Sequence, residues 1–283
     1  MSNSLVSIIV PTFNEEKNIE RFLISIKNQN FKKIETLVVD DGSNDKTVDI
    51  AKRYSNDVYE RTHEERSVQR NFGASKAHGD YLLFLDADME LSPEVIKDCV
   101  ETIKNLKVKV LTIPERTVGS GFLPEVRRFE REMYMEEPDY EVPRFFERNI
   151  FFKYGGYDKR LTGPEDYDLP YRIGKKNKIG RISEYIFHHE EGLTLKKQLS
   201  KKYYYAKSGA FYASKHPRLT WVQGTILFRR VYLKHWRKFL QHPVLGISFI
   251  VVRFLETIWA IAGFISAVGI FTFIKTAFSV FKK

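Results

Sequence analysis

Two aspartates, Asp86 and Asp88, stand one residue apart directly after the apolar run at 81–85 (YLLFL). Five consecutive bulky apolar residues predict a strand that is buried on both faces, as in the middle of a mostly parallel sheet. Because alternate residues of an extended chain point the same way, both carboxylates can converge at the strand's carboxyl end, where open α/β sheets bind ligands. Two hard oxygen ligands suit Mg²⁺ or Mn²⁺, which shares its shell with water and substrate phosphates. The alternative for so short a motif is a solvated strand end.

Strands and helices alternate through the first part of the chain. Apolar runs at 6–10, 34–39, 81–85 and 107–113, with a weaker one at 58–60, predict strands. Helical spacing of apolar residues or helix-start signals occur at 18–28, 46–54, 67–77 and 93–105. Such alternation with short connections predicts a parallel sheet covered by helices on both faces.

Three motifs follow one another in this region, at 6–15 (VSIIVPTFNE), 38–47 (VVDDGSNDKT) and 70–88, which runs from RNFG to LLFLDAD. Their residues, order and spacing resemble the family 2 glycosyltransferases of the GT-A fold, over residues 4–210. The resemblance implies an α/β, Rossmann-like catalytic domain with a mostly parallel central sheet. It also implies a nucleotide-diphosphate sugar as donor and Mn²⁺ or Mg²⁺ as cofactor.

The resemblance places a donor nucleotide site at the strand ends, formed by Pro11, Thr12, Asn14, Glu15, Asp41, Arg70 and Asp86. Asp41 can accept hydrogen bonds from ribose hydroxyls or from a base N–H. The Arg70 guanidinium, on a helix near the strand ends, could meet the diphosphate oxygens. The alternatives are an ordinary turn at Asp41 and a surface ion pair at Arg70.

The segment at 161–168 (LTGPEDYD) resembles the family's acidic motif at a helix start. In inverting members its aspartate removes the proton from the acceptor hydroxyl, which assigns the base to Asp166 and leaves Glu165 as the alternative base or an acceptor-binding group. A helix N-terminus would help to keep such a carboxylate ionised. Acids that merely favour a helix N-terminus are the competing interpretation.

Two adjacent histidines, His188 and His189, follow a strand-like run. Many relatives place a histidine here as a further metal ligand, beside Asp86 and Asp88, and neutral imidazole is compatible with Mn²⁺. Because neighbouring residues of a strand point to opposite faces, at most one of the two is expected to coordinate. The alternative is that both are ordinary surface residues.

A strongly basic segment lies between Gly192 and Val252, where twelve Lys and Arg and no Asp or Glu occur in a chain of net charge +10. Such a segment indicates nucleic acid or an anionic membrane surface. The apolar tail after it favours the membrane, so no nucleic-acid partner is expected. Residues 221–240 mix aromatic and basic residues as a helix in an anionic headgroup layer does. A basic helix packed on the catalytic domain is the alternative.

The tail contains one long uncharged stretch, at 257–274, just long enough to span a bilayer. A shorter apolar run at 244–252 is followed by Arg253 and Glu256, which could pair on one helix face. We favour an interfacial helix followed by one span. The alternatives are a tight hairpin through 244–279 and an amphipathic helix that forms a homodimer.

The sequence therefore predicts a GT-A catalytic domain at 1–210, a basic membrane-interface segment at 211–243 and a membrane anchor at 244–283. The basic segment places the catalytic domain on the cytoplasmic side of the cell membrane. The expected reaction is metal-dependent, inverting transfer of a sugar from a GDP- or UDP-linked donor to a lipid-linked or polyprenyl acceptor. A non-catalytic, membrane-tethered nucleotide-sugar-binding protein is the alternative. The single cysteine, Cys99, excludes an intrachain disulfide and fits a reducing compartment.

Overall fold

A computed structural model of the protein describes residues 4–224 and 229–272. The chain folds into two compact units. The first consists of Met1–Arg116, Val142–Lys159 and Glu165–His189, and the second of Thr117–Glu141, Arg160–Pro164 and Glu190–Lys283. The predicted boundaries at 210 and 243 remain a prediction.

The strands of the described residues are β1 (Val6–Thr12), β2 (Ile34–Asp40), β3 (Asp57–Glu60), β4 (Tyr81–Phe84), β5 (Met89–Leu91), β6 (Val110–Thr112), β7 (Glu115–Val118), β8 (Pro143–Glu147), β9 (Ile179–Arg181) and β10 (Ile186–His189). Seven of them form one sheet in the order β3-β2-β1-β4-β8-β6-β9, and the other three form a small sheet in the order β5-β10-β7. Within the large sheet only β8 runs antiparallel to its neighbours β4 and β6. The predicted mostly parallel sheet is thus confirmed, with β4 near its centre.

The helices are α1 (Ile19–Lys27), α2 (Thr47–Ala51), α3 (Arg66–Lys76), α4 (Val95–Asn105), α5 (Phe122–Tyr134), α6 (Arg148–Lys153), α7 (Glu165–Gly174), α8 (Leu195–Ala206), α9 (Gly209–Lys215), α10 (Pro217–Gly224), α11 (Arg230–Lys234), α12 (Trp236–Gln241) and α13 (Pro243–Val268). Helix α4 begins at Val95, two residues after the expected start at Pro93. The expected single helix at 221–240 is not present, because α11 and α12 are separate short helices that meet at His235. Residues 225–228 of that prediction lie outside the described residues.

Helices cover both faces of the large sheet, as predicted. Alternate residues of β1 point to opposite faces, so that Ile8 joins the core beneath α1 and α4, whereas Ile9 joins the core beneath α3, α6 and α7. The β4 residues divide in the same way, with Leu83 on the first face and Phe84 on the second. Two apolar cores therefore hold the central strands in place, and the residues after β1 and β4 are positioned by that packing.

The second unit is helical around a core of its own. Phe129 and Met133 of α5 pack with Tyr232 of α11 and with Phe249 and Val252 of α13. Helix α13 is continuous from Pro243 to Val268, and among the described residues it is the one helix long and apolar enough to cross a membrane by length and composition. The end of the predicted span, from residue 273 onward, lies outside the described residues.

Helix α3 approaches the sheet closely at Gly73. A Cβ atom at this position would lie 2.5 Å from Ile9 Cγ2 and 3.1 Å from Val39 Cγ2. Both neighbours are fully buried β-branched side chains, which have little freedom to move aside. The absent side chain therefore sets the distance between α3 and the two strands.

We expect Gly73→Ala to lower the free energy of unfolding by about 1–3 kcal/mol, because overpacking outweighs the higher helix propensity of alanine. The measurement is urea unfolding followed by circular dichroism. Gly174→Ala is the matched control, since its Cβ would meet Ile179 at an ordinary 3.6 Å. Equal stability of the two variants would contradict the tight contact between α3 and the sheet.

Candidate active site

The two aspartates lie where the chain leaves the centre of the large sheet. After β4 ends at Phe84, the Leu85 N–H still donates to the Ile9 carbonyl at 3.2 Å, and β5 begins at Met89. Asp86 and Asp88 therefore occupy the short connection between a central strand and the small sheet. This is the location that the sequence predicted for them.

A single buried arginine, Arg70 on α3, connects Asp86 to Asp166. Its Nη2 donates to Asp86 Oδ1 at 2.7 Å, and its Nη1 donates to Asp166 Oδ1 at 2.5 Å. The Arg70 side chain is fully buried. The structure thus brings three residues from distant parts of the sequence together around one guanidinium group.

Arg66 lies one helical turn before Arg70 and faces the same carboxylates. It donates to Glu165 Oε1 from Nη2 at 2.9 Å and from Nε at 3.1 Å, and Nη2 lies 3.4 Å from Asp166 Oδ2. Residues four apart share one helix face, so α3 presents both arginines to the site. The Arg66 side chain is 27% exposed, whereas that of Glu165 is completely buried. Arg66 is therefore the solvent-facing member of the pair.

The charges of the site shift two carboxyl pKa values in opposite directions. Burial would raise the pKa of Asp86, but the adjacent Arg70, Arg66 and Arg144 guanidiniums outweigh it and hold that pKa well below its ordinary value. Burial and the neighbouring charge of Asp166 raise the pKa of Glu165, and the two arginines offset this only partly. Asp86 is thus firmly ionised, and Glu165 holds a proton more readily than an ordinary glutamate.

His188 faces Asp88 across the small sheet. Strand β10 pairs antiparallel with β5, and His188 Nε2 lies 3.1 Å from Asp88 Oδ2. Its other ring nitrogen, Nδ1, lies 3.5 Å from Glu115 Oε2. Arg144 donates from Nε to Glu115 Oε1 at 2.6 Å, and its Nη1 lies 3.9 Å from Asp86 Oδ2. These contacts form a chain of polar side chains that leads back to Asp86.

His189 turns away from Asp88. Its Nε2 lies 2.7 Å from Glu90 Oε2, and its backbone N–H donates to the Asp88 carbonyl. The structure therefore brings His188, and not His189, to the aspartate pair with its imidazole ring.

Asp88 and His188 supply one oxygen and one nitrogen donor, and this pair suits a Mn²⁺ or Mg²⁺ ion that completes its shell with water and ligand phosphates. Asp86 is the remaining predicted ligand, and its carboxylate pairs with Arg70 at 2.7 Å and lies 3.9 Å from Arg144. Within residues 4–224 and 229–272, no three acidic, histidine or cysteine side chains are grouped closely enough to hold a metal by themselves. The oxygen of Asp88 and the nitrogen of His188 therefore fit a metal ion whose other ligands are water and the phosphates of a bound molecule.

The two loops after β1 and β2 are joined by hydrogen bonds. The Asn14 N–H donates to Ser43 Oγ at 2.8 Å, and the Asn44 N–H donates to Asn14 Oδ1 at 2.9 Å. Asn14 adopts a left-handed φ of 54°. The Glu15 N–H donates to Thr47 Oγ1 at 2.8 Å. These contacts hold both predicted donor-binding loops at one edge of the sheet.

The other predicted donor-binding residues, Pro11, Thr12 and Asp41, make contacts within the protein. Thr12 is buried, and its hydroxyl donates to Asp40 Oδ1 at 3.1 Å, while Pro11 lies in the ladder between β1 and β2. Asp41 Oδ1 accepts from the Glu64 N–H at 2.7 Å, and its Oδ2 lies 2.6 Å from His63 Nδ1. Asp41 is thus held in place by the segment before α3.

Sequence reasoning did not find three charged residues of the site, Arg66, Glu115 and Arg144. Arg66 had a signal, since it stands four residues before Arg70 and directly precedes the helix predicted at 67–77. Glu115 and Arg144 had none, because they reach the site from β7 and β8, which are far from the aspartates in sequence.

The family model described as "Glycosyl transferase family 2" matches residues 7–175, which include the aspartate pair, Arg70 and the acidic helix start. The chain belongs to glycosyl transferase family 2. The match covers more than half of the chain and ends before β9. It confirms the resemblance found in the sequence.

Curated relatives of this family 2 member align over parts of their length. The poly(ribitol-phosphate) β-N-acetylglucosaminyltransferase TarS of Staphylococcus aureus is 33% identical over 127 residues, which are 42% of this chain and 22% of TarS. The dolichol-phosphate mannosyltransferase of Pyrococcus furiosus is 38% identical over 111 residues, 35% of this chain and 30% of that enzyme. An uncharacterised glycosyltransferase of Haemophilus influenzae is 29% identical over 178 residues, 58% of this chain and 60% of that protein. The chain thus spans less than two thirds of these relatives.

Solved structures confirm the GT-A fold. The mannosyltransferase PcManGT of Pyrobaculum calidifontis, in complex with GDP-Man and Mn²⁺, superposes with a TM-score of 0.62 at 16% identity, covering 100% of this chain and 81% of that chain. Residues 1–349 of S. aureus TarS superpose with a TM-score of 0.59 at 22% identity, covering 93% and 81% of the two chains. At these identities the likeness establishes the fold.

The depressed pKa of Asp86 makes part of the stability depend on pH. Its folded pKa lies below its ordinary value of 3.8, so the stabilisation is present above that value and is lost as the pH falls below it. We expect Asp86→Asn to reduce the free energy of unfolding at neutral pH by about 1–3 kcal/mol and to lose less stability than wild type below about pH 4. Urea unfolding at several pH values measures both.

The exposed Asp57 provides the control, because Asp57→Asn keeps the Arg70 site intact and should follow the wild-type pH dependence. An equally steep acid loss in Asp86→Asn and wild type would show that the arginines do not stabilise this carboxylate.

Proposed function

We propose that the protein transfers a sugar from a nucleotide-diphosphate sugar to a hydroxyl group of a lipid-linked or polyprenyl acceptor, with inversion at the anomeric carbon. Membership of glycosyl transferase family 2 supports the reaction class. The observation that carries the proposal is the bridge formed by Arg70, which holds Asp86 and Asp166 on two sides of one guanidinium. A transferase of this type needs a donor site and a proton acceptor within a few ångströms of each other.

Asp166 is the better base of the two neighbouring acids. Its side chain is 12% exposed, whereas that of Glu165 is 0% exposed and bound by Arg66. A general base must come within hydrogen-bond distance of the hydroxyl that it deprotonates, and a fully buried carboxylate does not. The raised pKa of Glu165 also makes it less readily ionised, because of burial and the adjacent charge of Asp166. We therefore assign Glu165 to the orientation of Arg66.

In the proposed step, the acceptor oxygen forms a bond to the anomeric carbon while the bond from that carbon to the diphosphate oxygen breaks. The acceptor proton passes to an Asp166 oxygen, and the nucleoside diphosphate leaves with the bonding electron pair. Arg70 keeps the Asp166 carboxylate oriented before the proton arrives. Arg66 is partly exposed, and its charge is available to the leaving diphosphate.

A divalent metal would be held by Asp88 and His188, with Asp86 as the third predicted ligand. Such an ion neutralises charge on the leaving diphosphate. Glu115 would orient His188, and Arg144 would orient both Glu115 and Asp86. His189 is not assigned to the metal, because its ring is directed to Glu90.

The donor nucleotide is proposed to lie against the joined loops that contain Asn14, Glu15 and Asp41. Two solved structures with this fold contain nucleotide sugars, GDP-Man in PcManGT and UDP-GlcNAc in TarS. A GDP- or UDP-linked sugar is therefore the proposed donor class.

The acceptor proposal rests on the relatives and on the second unit. Relatives include a dolichol-phosphate mannosyltransferase and the GalNAc(5)-diNAcBac-PP-undecaprenol β-1,3-glucosyltransferase of Campylobacter jejuni, which is 34% identical over 93 residues. The second unit contains an apolar helix, α13, and the basic segment before it. We propose attachment to the cell membrane with the catalytic unit on the cytoplasmic side. A base such as Asp166 favours a hydroxyl acceptor, since a phosphate acceptor needs none.

The deciding experiment measures nucleotide release by purified protein in detergent with Mn²⁺ and a panel of UDP-, GDP- and dTDP-sugars, with and without lipid extract. We expect release with one donor, loss of release with a chelator, and a fall of about 10²–10⁴-fold in kcat in Asp166→Asn. Asp57→Asn is the control for the charge change.

The same measurement distinguishes the alternative function. Metal-dependent binding of a donor with no release in any lipid extract would indicate a non-catalytic nucleotide-sugar-binding protein. A kcat of Asp166→Asn close to that of wild type would remove Asp166 from its role as base.

The assignment of His188 as the metal ligand is tested by comparing the variants His188→Gln and His189→Gln. Because only His188 faces Asp88, we expect its replacement to weaken Mn²⁺ binding in the presence of nucleoside diphosphate by about 10–100-fold, while His189→Gln binds as wild type does. Electron paramagnetic resonance of free Mn²⁺ measures this without turnover. The reverse order of the two variants would transfer the ligand role to His189.

A further inference from the structure

Helix α13 has two faces of opposite environment. Its exposed apolar side chains recur every three or four residues, as expected for one side of a helix: Val244, Ile247, Ile250, Phe254, Ile258 and Ile261. These side chains are between 38% and 68% exposed. An uninterrupted apolar surface of this length marks an interaction site.

The opposite face of α13 is packed against the other helices of the second unit. Gly246 lies against Phe239 of α12, and a Cβ at Gly263 would lie 2.1 Å from the Tyr203 carbonyl oxygen of α8. Between them, Phe249 and Val252 contribute to the core with α5. The contact thus runs from Gly246 to Gly263, which is most of the helix.

Charged groups fix this packed face. Arg253 forms ion pairs with Glu130 of α5 and with Glu256, and both partners are buried. Glu256 accepts a hydrogen bond of 2.6 Å from Gln198 of α8, and Lys202 lies 3.8 Å from it. Breaking a buried ion pair leaves an uncompensated charge, so α13 cannot easily separate from α5 and α8.

This packing is incompatible with α13 crossing a bilayer as an isolated span. A spanning α13 would carry α8 into the hydrocarbon with it, including Lys196, Lys197 and Lys201, which are exposed. Each lysine at the centre of a bilayer costs about 2.5–3.5 kcal/mol on insertion scales. An orientation in the membrane plane avoids that cost, because one face of α13 then meets acyl chains while α5 and α8 stay in water or headgroups.

The residues just before α13 extend the apolar surface and add positive charge. Leu233, Trp236 and Leu240 are 73%, 54% and 70% exposed. The exposed Arg230 and Arg237 belong to the same two short helices, α11 and α12. Basic residues beside exposed aromatic and aliphatic ones fit the headgroup layer of an anionic bilayer, where each contributes about 1 kcal/mol.

From these contacts we infer that α11, α12 and α13 form a one-leaflet docking surface for an anionic lipid bilayer, with α13 lying in the membrane plane. The inference rests on the membrane association in the proposed function and replaces the predicted span at 257–274 with an in-plane helix. It also accounts for the buried pair of Arg253 and Glu256 on the packed face of this apolar helix.

The first test measures binding of the full chain to sealed vesicles of phosphatidylcholine with and without phosphatidylglycerol, by flotation. We expect binding to the anionic vesicles, and a partition coefficient at least about tenfold lower in Phe254→Glu, because a charge replaces an exposed aromatic side chain that would enter the acyl layer. Leu106→Glu is the matched control, since Leu106 is 51% exposed in the first unit and Phe254 is 54% exposed. Equal binding of both variants would overturn the docking surface.

The second test separates an in-plane helix from a span. The variants Gln241→Cys, Ile250→Cys and Ala267→Cys are each labelled with a membrane-impermeant maleimide added outside sealed vesicles. The native Cys99 is buried, and burial raises its thiol pKa well above the ordinary value, so that it reacts slowly. We expect labelling at Gln241 and Ala267 from the same side and protection at Ile250 only when vesicles are present. Labelling of only one end would establish a span and overturn the inference.

The remaining outcomes are also decisive. If the wild-type protein does not bind vesicles and instead forms a dimer that Phe254→Glu dissociates, then a second copy covers this face and the lipid assignment is wrong. Nucleotide release in detergent is measured in parallel with a donor sugar, because it depends on Asp166 and not on Phe254. Absence of vesicle binding by the wild-type protein together with retained release would reject the docking surface alone, whereas absent release in wild type would reject the proposed transferase.

Discussion

The buried guanidinium of Arg70 is the interaction on which the catalytic unit depends. It pairs with Asp86 and Asp166 at once, and without it these carboxylates would keep only the longer contacts, from Arg66 to both and from Arg144 to Asp86. A buried charge is tolerated when its partners are close and well oriented, and here both hydrogen bonds are 2.7 Å or shorter. One residue therefore links Asp86, which follows β4, to Asp166, in the first turn of α7, although the two aspartates are 80 residues apart in the chain.

That bridge requires α3 to lie against the sheet at a fixed distance. Gly73 permits the contact with Ile9 and Val39, and the apolar cores on both faces hold the strands against which α3 packs. The small sheet adds a second constraint, because the pairing of β5 with β10 decides which histidine meets Asp88. Backbone geometry thus determines the electrostatics: it sets which charges are neighbours, and their proximity then shifts the pKa values of Asp86 and Glu165 apart.

Buried charge pairs also organise the second unit, where they hold one face of an apolar helix against its neighbours. Helix α13 is apolar enough for a membrane, yet Arg253 and Glu256 on its inner face pair with Glu130 and Gln198. A helix that is bound along one side by charged neighbours has only its other side left for lipid. The proposed docking through one leaflet suits an enzyme whose proposed acceptor is soluble in lipid and whose proposed donor is soluble in water.

The sequence by itself determined the family, the alternation of strands and helices, and the aspartates, Arg70 and the acidic helix start, because these signals are local: periodicity, turn residues and short motifs. It could not choose between His188 and His189, find Glu115 and Arg144, or foresee that α11 and α12 are separate helices. Those features depend on which strands become neighbours and on where a chain bends to pack, and contacts between distant segments leave no local pattern. For the same reason the hydropathy of the tail suggested a span, whereas only the packing of α13 against α5 and α8 revealed which of its faces is left exposed.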